Sequence, residues 1–486
     1  MNRPQLNPLP GVGFNPVLLL ILAFHRMLAL AAGLFLAACN GGTSPPTITV
    51  GSSGGGADVY YFEADDDVSG YELWRTDGTA AGTYMVRDIN ASASSGPDDF
   101  TIFNGEVYFS ADDGVFGEEL WKTDGTVGGT QMVLDINATG PWGSSPQNFT
   151  ILNGELFFIA DDGVSGYELW KTDGTTHGTV MVMDINTADG SYPQNFAVFN
   201  GELYFSADNG IVGHQLWKSD GTVAGTHIVR YINFTGSAFP SGFTEFNSEL
   251  YFSADDGSSG TELWKTNGTE AGTVLVKDIN IVGGVGAGSG PRRLTVLNGA
   301  LYFLADDGLG GRELWQTDGT EPGTVMVRDI NPNPNAGSGA IGLARFNGEL
   351  YFQANDGSGS GVALWKSDGT EAGTVAVRYV TPYIYDLEDG GFAIFNNELY
   401  FRGSDGINGD ELWKTDGTTA GTVMVKNINL TVSVNSYASN FRLLDGLLLF
   451  DADDGVNGNE PWRTDGTESG TVMVRDICPG PCSGID

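Results

Sequence analysis

Pairs of aspartates stand beside a glycine along most of this chain, at Asp112-Asp113-Gly114, Asp161-Asp162-Gly163, Asp255-Asp256-Gly257, Asp306-Asp307-Gly308 and Asp453-Asp454-Gly455. Hard carboxylate oxygens clustered at glycine turns suit calcium, which takes about six to eight oxygen ligands and tolerates irregular geometry. Asp-Gly pairs also make turns for purely conformational reasons, and the dense Asp-x-Asp-x-Asp ladder of dedicated calcium loops is missing. Both readings stand at this stage, with calcium the one candidate cofactor. Recurrence of the pairs argues for a repeat-level role and against a single acid–base site. Histidine is scarce: beyond the N-terminal stretch only His177, His214 and His227 remain, scattered over loop, hairpin and strand positions of two repeats, so no Ser-His-Asp arrangement suggests itself. The expectation for catalysis is therefore no enzyme and no catalytic residue.

Two of the three cysteines, Cys478 and Cys482, enclose Pro-Gly-Pro near the end of the sequence. Outside the cytoplasm this spacing predicts a small disulfide; two cysteines cannot complete a structural zinc site. Export is what the N-terminal segment predicts, since Arg26 precedes an apolar stretch from Met27 to Ala38 that ends in small residues. The run Leu36-Ala37-Ala38-Cys39 resembles the lipobox of bacterial lipoproteins. That resemblance implies cleavage before Cys39, acylation of its thiol, and, with Asn40 following, residence at the outer membrane or cell surface. Residues 1–38 then form the signal peptide, 39–46 a Gly/Ser/Pro-rich flexible tether, and 47–486 the folded domain.

Acidity sets the partners. Lys+Arg 23 against Asp+Glu 61 gives a formal charge of −38, a field that repels nucleic acid and anionic membrane surfaces. Membrane attachment is expected through the lipid alone, and the domain is expected to be monomeric. Disorder does not follow from the acidity, because aromatic residues make up 11% of the chain and β-branched residues are frequent.

The elements that must position all these residues are repeats. Glu-Leu-Trp or a close variant ends at Trp74, Trp121, Trp170, Trp217, Trp264, Trp315, Trp365, Trp413 and Trp462, nine copies at a period of 47 to 51 residues. Each repeat holds four short β-rich runs, named a, b, c and d, bounded by Asn-Gly between a and b and by Asp-Gly-Thr between c and d. Run b reads Leu-Tyr-Phe without polar alternation, as at Leu203 to Phe205, so both of its faces are buried. Four-stranded antiparallel blades stacked face to face around an axis satisfy this, and no polar capping repeat is visible at either end. The expected fold is an all-β propeller of nine blades, or eight with one repeat left over. The first repeat offers only Thr47 to Val50 as run a.

Complete ELWKTDGT stands at Glu119 to Thr126, Glu168 to Thr175 and Glu411 to Thr418, and the repeat resembles the ELWxxDGT repeat proteins of bacteria over about Ala57 to Ile477, with departures at Gln215, Asn267, Ala363 and Pro461. That family implies export and no settled activity. Ala111, Asp113, Gly117 and Trp121 also fall at the intervals of the tryptophan-docking motif of quinoprotein-type propellers, which implies that the nine tryptophans pack between blades. The motif's threonine is absent, as are the vicinal cysteines of a quinoprotein dehydrogenase.

In such blades the b-c loops and the d-to-a crossovers share one face, where the sequence varies most. The crossovers carry Trp142, Tyr192, Arg292, Arg293, Tyr383 and Tyr385, residues suited to stacking on sugars or anchoring a protein. The functional expectation is a noncatalytic binding or adhesion module of the cell envelope with a protein or glycan ligand; the alternatives are a scaffold of an envelope assembly complex and a propeller enzyme of hydrolase, lyase or quinoprotein type. The basic residues after Trp and before Asp-Ile-Asn, such as Lys122 and Lys277, are expected to form exposed ion pairs of little weight.

Overall fold

The computed structural model describes residues 58–284, 286–333, 336–382, 391–431, 433–480 and 482–485. The export segment, the tether, Cys39, Thr47 to Val50, Tyr383 and Tyr385 lie outside them. The described residues are all β and form a nine-bladed propeller. Blade 1 contributes β1 (Tyr60–Asp65), β2 (Tyr71–Thr76) and β3 (Tyr84–Arg87), equivalent to runs b, c and d. Blade 2 shows the full unit: β4 (Asp98–Phe103), β5 (Glu106–Asp112), β6 (Glu118–Thr123) and β7 (Gln131–Leu134), antiparallel in chain order. Six further sheets repeat that order, and blade 8 has two first-strand pieces, Thr381–Pro382 and Phe392–Phe395, both paired with Glu398–Ser404.

Neighbouring blades come closest through their first strands, so strand a is innermost and strand d outermost. Strand b is buried on both faces as its composition requires. In β5, Val107, Phe109 and Ala111 enter the core shared with blade 1, while Tyr108 enters the core shared with blade 3. Each Trp of strand c packs with the preceding blade: Trp170 lies with Leu120, Val133 and Ile136. All nine motif tryptophans are buried.

Basic residues at the end of strand d staple one blade to the next. The Arg230, Lys277, Arg328, Arg378 and Lys426 side chains donate to Thr273, Thr324, Thr374, Thr422 and Thr471 carbonyls at 2.5–2.8 Å. Arg87, Arg328, Arg378 and Lys426 also sit over the next blade's tryptophan ring at 5.6–5.8 Å. Of the expected exposed ion pairs, Lys122 does form one, meeting Glu106 at 2.9 Å, but half-buried, and Lys277 instead donates to a carbonyl. Arg475 makes the same contacts to the Thr83 carbonyl and the Trp74 ring, and Phe62, Ala64 and Trp74 share a core with Ile477 and Ile485. The ring therefore closes on nine blades, with no repeat left over.

The c-d turn is a closed network. In blade 2 the Asp124 carboxylate accepts from the Thr126 amide and hydroxyl at 2.9 and 2.6 Å, and Thr123 and Thr130 hydroxyls meet at 2.7 Å. Gly125 has φ +87°, and a Cβ there would lie 2.4 Å from the Tyr61 hydroxyl of the preceding blade. Glycine is required at that position both by its backbone and by its neighbour.

Candidate functional site at the inner end of the blades

The aspartate pairs are spent on their own loops. The first of each pair, Asp112, Asp161, Asp255, Asp306 and Asp453, accepts from the glycine amide two residues on at 2.6–2.8 Å. The second, Asp113, Asp162, Asp256, Asp307 and Asp454, accepts from the next two loop amides at 2.6–3.0 Å. Among the described residues no group of three or more His, Cys, Asp or Glu is placed to hold a metal ion. The conformational role of these aspartates is thus seen directly, each capping its loop through Oδ1.

The described crossover residues sit on three different blades. Trp142 is an isolated, largely exposed ring on the blade 2 crossover. Tyr192 lies on the next crossover, 5.7 Å from the Tyr167 ring. Arg292 and Arg293 begin the innermost strand of blade 6. Cys478 and Cys482 are joined as a disulfide with Cα atoms 5.8 Å apart.

What does converge is a position that sequence reading passed over. Strand b is nearly constant except at its fifth full-length position, which reads Glu63, Ser110, Ile159, Ser206, Ser253, Leu304, Gln353, Arg402 and Asp451 around the ring. Its register partner is the first residue of strand a, equally varied: Asp98, Gln147, Gln194, Ser241, Arg292, Ile341 and Ser439. A bulge follows each partner, and Asp99, Asn148, Asn195, Arg293 and Asn440 take positive φ there. One packing solution repeated nine times cannot account for acids, bases, amides, hydroxyls and alkyl groups at a single place. The inner end of the blades, on the crossover side, is where the ring is individual.

Three sectors of it carry chemistry. In blade 8, Arg402 forks onto buried Asp410 at 3.1 and 2.7 Å and lies 5.1 Å from the Tyr437 ring. In blade 9, burial pushes the Asp451 carboxyl up to about 7, against the amide of Asn440 at 2.8 Å and the charge of Arg442. Burial also raises Tyr60, the residue of blade 1 on which Arg442, Asp451 and Asp98 act. In blade 4, His214 Nδ1 stands 3.3 Å from Ser206 Oγ and 3.3 Å from Gln194 Nε2, and Phe239 stacks on the imidazole at 5.1 Å. Burial lowers the His214 pKa, partly offset by the charge of Asp208, its partner in the strand register, so the ring is neutral at neutral pH. Ser206 and His214 are brought together by one strand pair, eight residues apart, which is why no triad spacing showed in the sequence.

No protein-family model and no curated protein matches the chain. Among solved structures it is similar to a puromycin hydrolase (TM-score 0.37, 15% identity, 78% of this chain and 60% of that one). It is also similar to a Mycobacterium tuberculosis puromycin-hydrolyzing peptidase (TM-score 0.37, 12% identity, 74% and 58%). A third is one of two prolyl endopeptidases (TM-score 0.36, 12% identity, 74% and 54%). The chain thus spans less than two thirds of the length of each. Two sequence expectations are corrected here, the noncatalytic binding or adhesion module and the answer that the chain is no enzyme. The solved proteins it is similar to are hydrolases and peptidases by description, not binding modules. A likeness this distant is one of fold and carries no residue's role, which leaves the site geometry to bear the functional reading.

Proposed function

We propose that this chain is a propeller enzyme of the hydrolytic class, with its chemistry at the inner end of blade 4. The observation that supports the reading is the 3.3 Å approach of the His214 Nδ1 to Ser206 Oγ, at a ring position that varies from blade to blade and where Ser206 is the serine with a histidine as its neighbour. A hydroxyl beside a neutral imidazole is the minimal acyl-transfer pair: the ring takes the hydroxyl proton as the oxygen attacks an ester or amide carbonyl. Gln194 Nε2 approaches the same Nδ1 and must give way as the serine proton arrives, and Asp208 stabilises the imidazolium that forms. Ser206 is buried, so in this reading access requires displacement of Phe239, which is 55% exposed and stacked on the ring. The ELWxxDGT likeness and the Cys39 lipobox support, as part of the same proposal, a location outside the cytoplasm on a lipid anchor.

The test is turnover of a panel of activated acyl esters and aminoacyl amides together with labelling by a fluorophosphonate. The expected result is a label on Ser206 and a rate lowered about 10²–10⁴-fold in His214→Asn. The rate should also fall on acidification through a pKa below the ordinary histidine value, because burial favours the neutral ring. Absence of both turnover and label would overturn the proposal.

A further inference from the structure

A separate set of carboxylates lies deep inside the blades. The glutamate of each Glu-Leu-Trp, namely Glu72, Glu119, Glu168, Glu262, Glu313, Glu411 and Glu460, is fully buried. It braces the crossover that leads to the next blade. Glu119, for example, accepts from the Ile136 and Asn137 amides at 3.0 and 3.1 Å and from Ser144 Oγ at 2.5 Å. The aspartate that opens Asp-Ile-Asn or its variant acts on this glutamate by charge in blades 1, 2, 6 and 9. Its Oδ1 is buried with no hydrogen-bond partner in Asp135, Asp184, Asp278 and Asp476.

The repeats vary these two positions together. Glutamate is matched by aspartate in repeats 1, 2, 3, 5, 6 and 9, and by Asn427 in repeat 8. The two repeats that lack the glutamate, with Gln215 and Ala363, also lack the aspartate and carry Tyr231 and Tyr379 instead. Those tyrosine hydroxyls meet the b-c loop, Tyr231 at Asn209 and Tyr379 at Asp356. Positions that change in concert are in physical contact. Asn427 shows what the contact requires: with its amide nitrogen turned to the acceptors, it donates to Glu411 Oε1 at 3.3 Å and to the Asn429 carbonyl at 2.8 Å. The place calls for a donor. Gln215, in the glutamate position, likewise works as a neutral group, accepting from Ile232 at 2.9 Å and donating to the Asn233 and Gly236 carbonyls at 3.0 Å.

We infer that in blades 2, 3, 5 and 9 the buried glutamate and the neighbouring aspartate share one proton, which fills the place of the Asn427 amide hydrogen, and that this array of carboxyl pairs is a pH switch in the crossover face. The proton comes from solvent and returns to it. With the proton in place each crossover is held by a carboxyl–carboxylate hydrogen bond and the pair carries one charge; without it two like charges meet under a buried loop. Burial pushes Glu119, Glu168 and Glu460 up to about 7 and raises Glu262; it does the same to Glu411, whose neighbour is Asn427, so the shift itself comes from burial and the neighbouring aspartate is what the paired blades add. The charges that act on these groups are themselves acidic: Asp88 on Glu72, Asp135 on Glu119, Asp329 on Glu313, Asp476 on Glu460, and Asp410, itself held by Arg402, on Glu411. An acid whose pKa is higher in the folded state binds more proton there than in the unfolded chain. Its contribution to stability is complete below its ordinary pKa and is lost as pH rises through about 7.

Thermal melts of the full chain at pH 5.5 and pH 8, with Asp135→Asn beside the wild type, test the inference. Asparagine is what blade 8 already carries, so the variant preserves the geometry. It is expected to raise the melting temperature by about 1–3 °C at pH 8 and to leave it unchanged at pH 5.5, a difference that the general charge repulsion of an acidic protein does not produce. Infrared spectra of the wild type at neutral pH are expected to show a protonated-carboxyl band that weakens in the variant. A variant that lowers the melting temperature equally at both pH values, or a wild type without that band, would overturn the shared proton.

Discussion

The two ends of each blade obey different rules. At the outer end, strand c, the Asp-Gly-Thr turn and the end of strand d repeat almost letter for letter, and their side chains meet a neighbouring blade: Trp170 in the core of the blade before it, Gly125 against Tyr61, Arg475 on the Thr83 carbonyl. At the inner end the register pairs run from Asp98 with Ser110 to Arg292 with Leu304 and Ser439 with Asp451. The outer end is repeated because closing a ring of nine imposes one interface nine times. The inner end is released from that constraint, and its residues are free to differ for the sake of chemistry.

Substitutions at the outer end should therefore cost stability, and exposed ones at the inner end should not. The largest loss is expected from Trp121→Ala, which empties the core shared with blade 1: about 3–5 kcal/mol, read as a lowered denaturant midpoint in urea. Gly125→Ala places a Cβ on the Tyr61 hydroxyl at a φ of +87° and should cost about 1–3 kcal/mol by the same measurement. Gln147→Ser, which writes the blade 5 residue onto the exposed inner end of blade 3, should stay within about 0.5 kcal/mol of wild type. A Gln147→Ser loss as large as that of Gly125→Ala would erase the contrast between the two ends.

Much of the outer end was legible in the sequence. The period, the nine tryptophans, the doubly buried Leu-Tyr-Phe strand and the Asn-Gly and Asp-Gly turns are local patterns whose physical meaning does not depend on register. The role of Lys277 was not legible, because its acceptor, the Thr324 carbonyl, lies 47 residues away on another blade. Nor was the fate of the aspartate pairs. Metal ligation and loop capping use the same residues, and the capping became visible only with the amides at 2.6–2.9 Å from Asp113 and Asp162. The inner end was hidden for a third reason. Its variation sits inside strands, at a position that becomes one site only once strand b is paired with strand a and the blades are set in a ring. Attention to where a near-perfect repeat breaks its own pattern would have found Ser206, Arg402 and Asp451, and the joint loss of glutamate and aspartate in repeats 4 and 7 was readable in the same way.

The most direct test of the account is a paired measurement on Ser206→Ala: acyl-ester hydrolysis and thermal melting of the same preparation. The account predicts a rate reduced at least about 100-fold with the melting temperature within about 2 °C of wild type, because the hydroxyl does chemistry that the fold does not need. A wild-type rate in the variant, or a loss of rate that only follows a loss of stability, would contradict it.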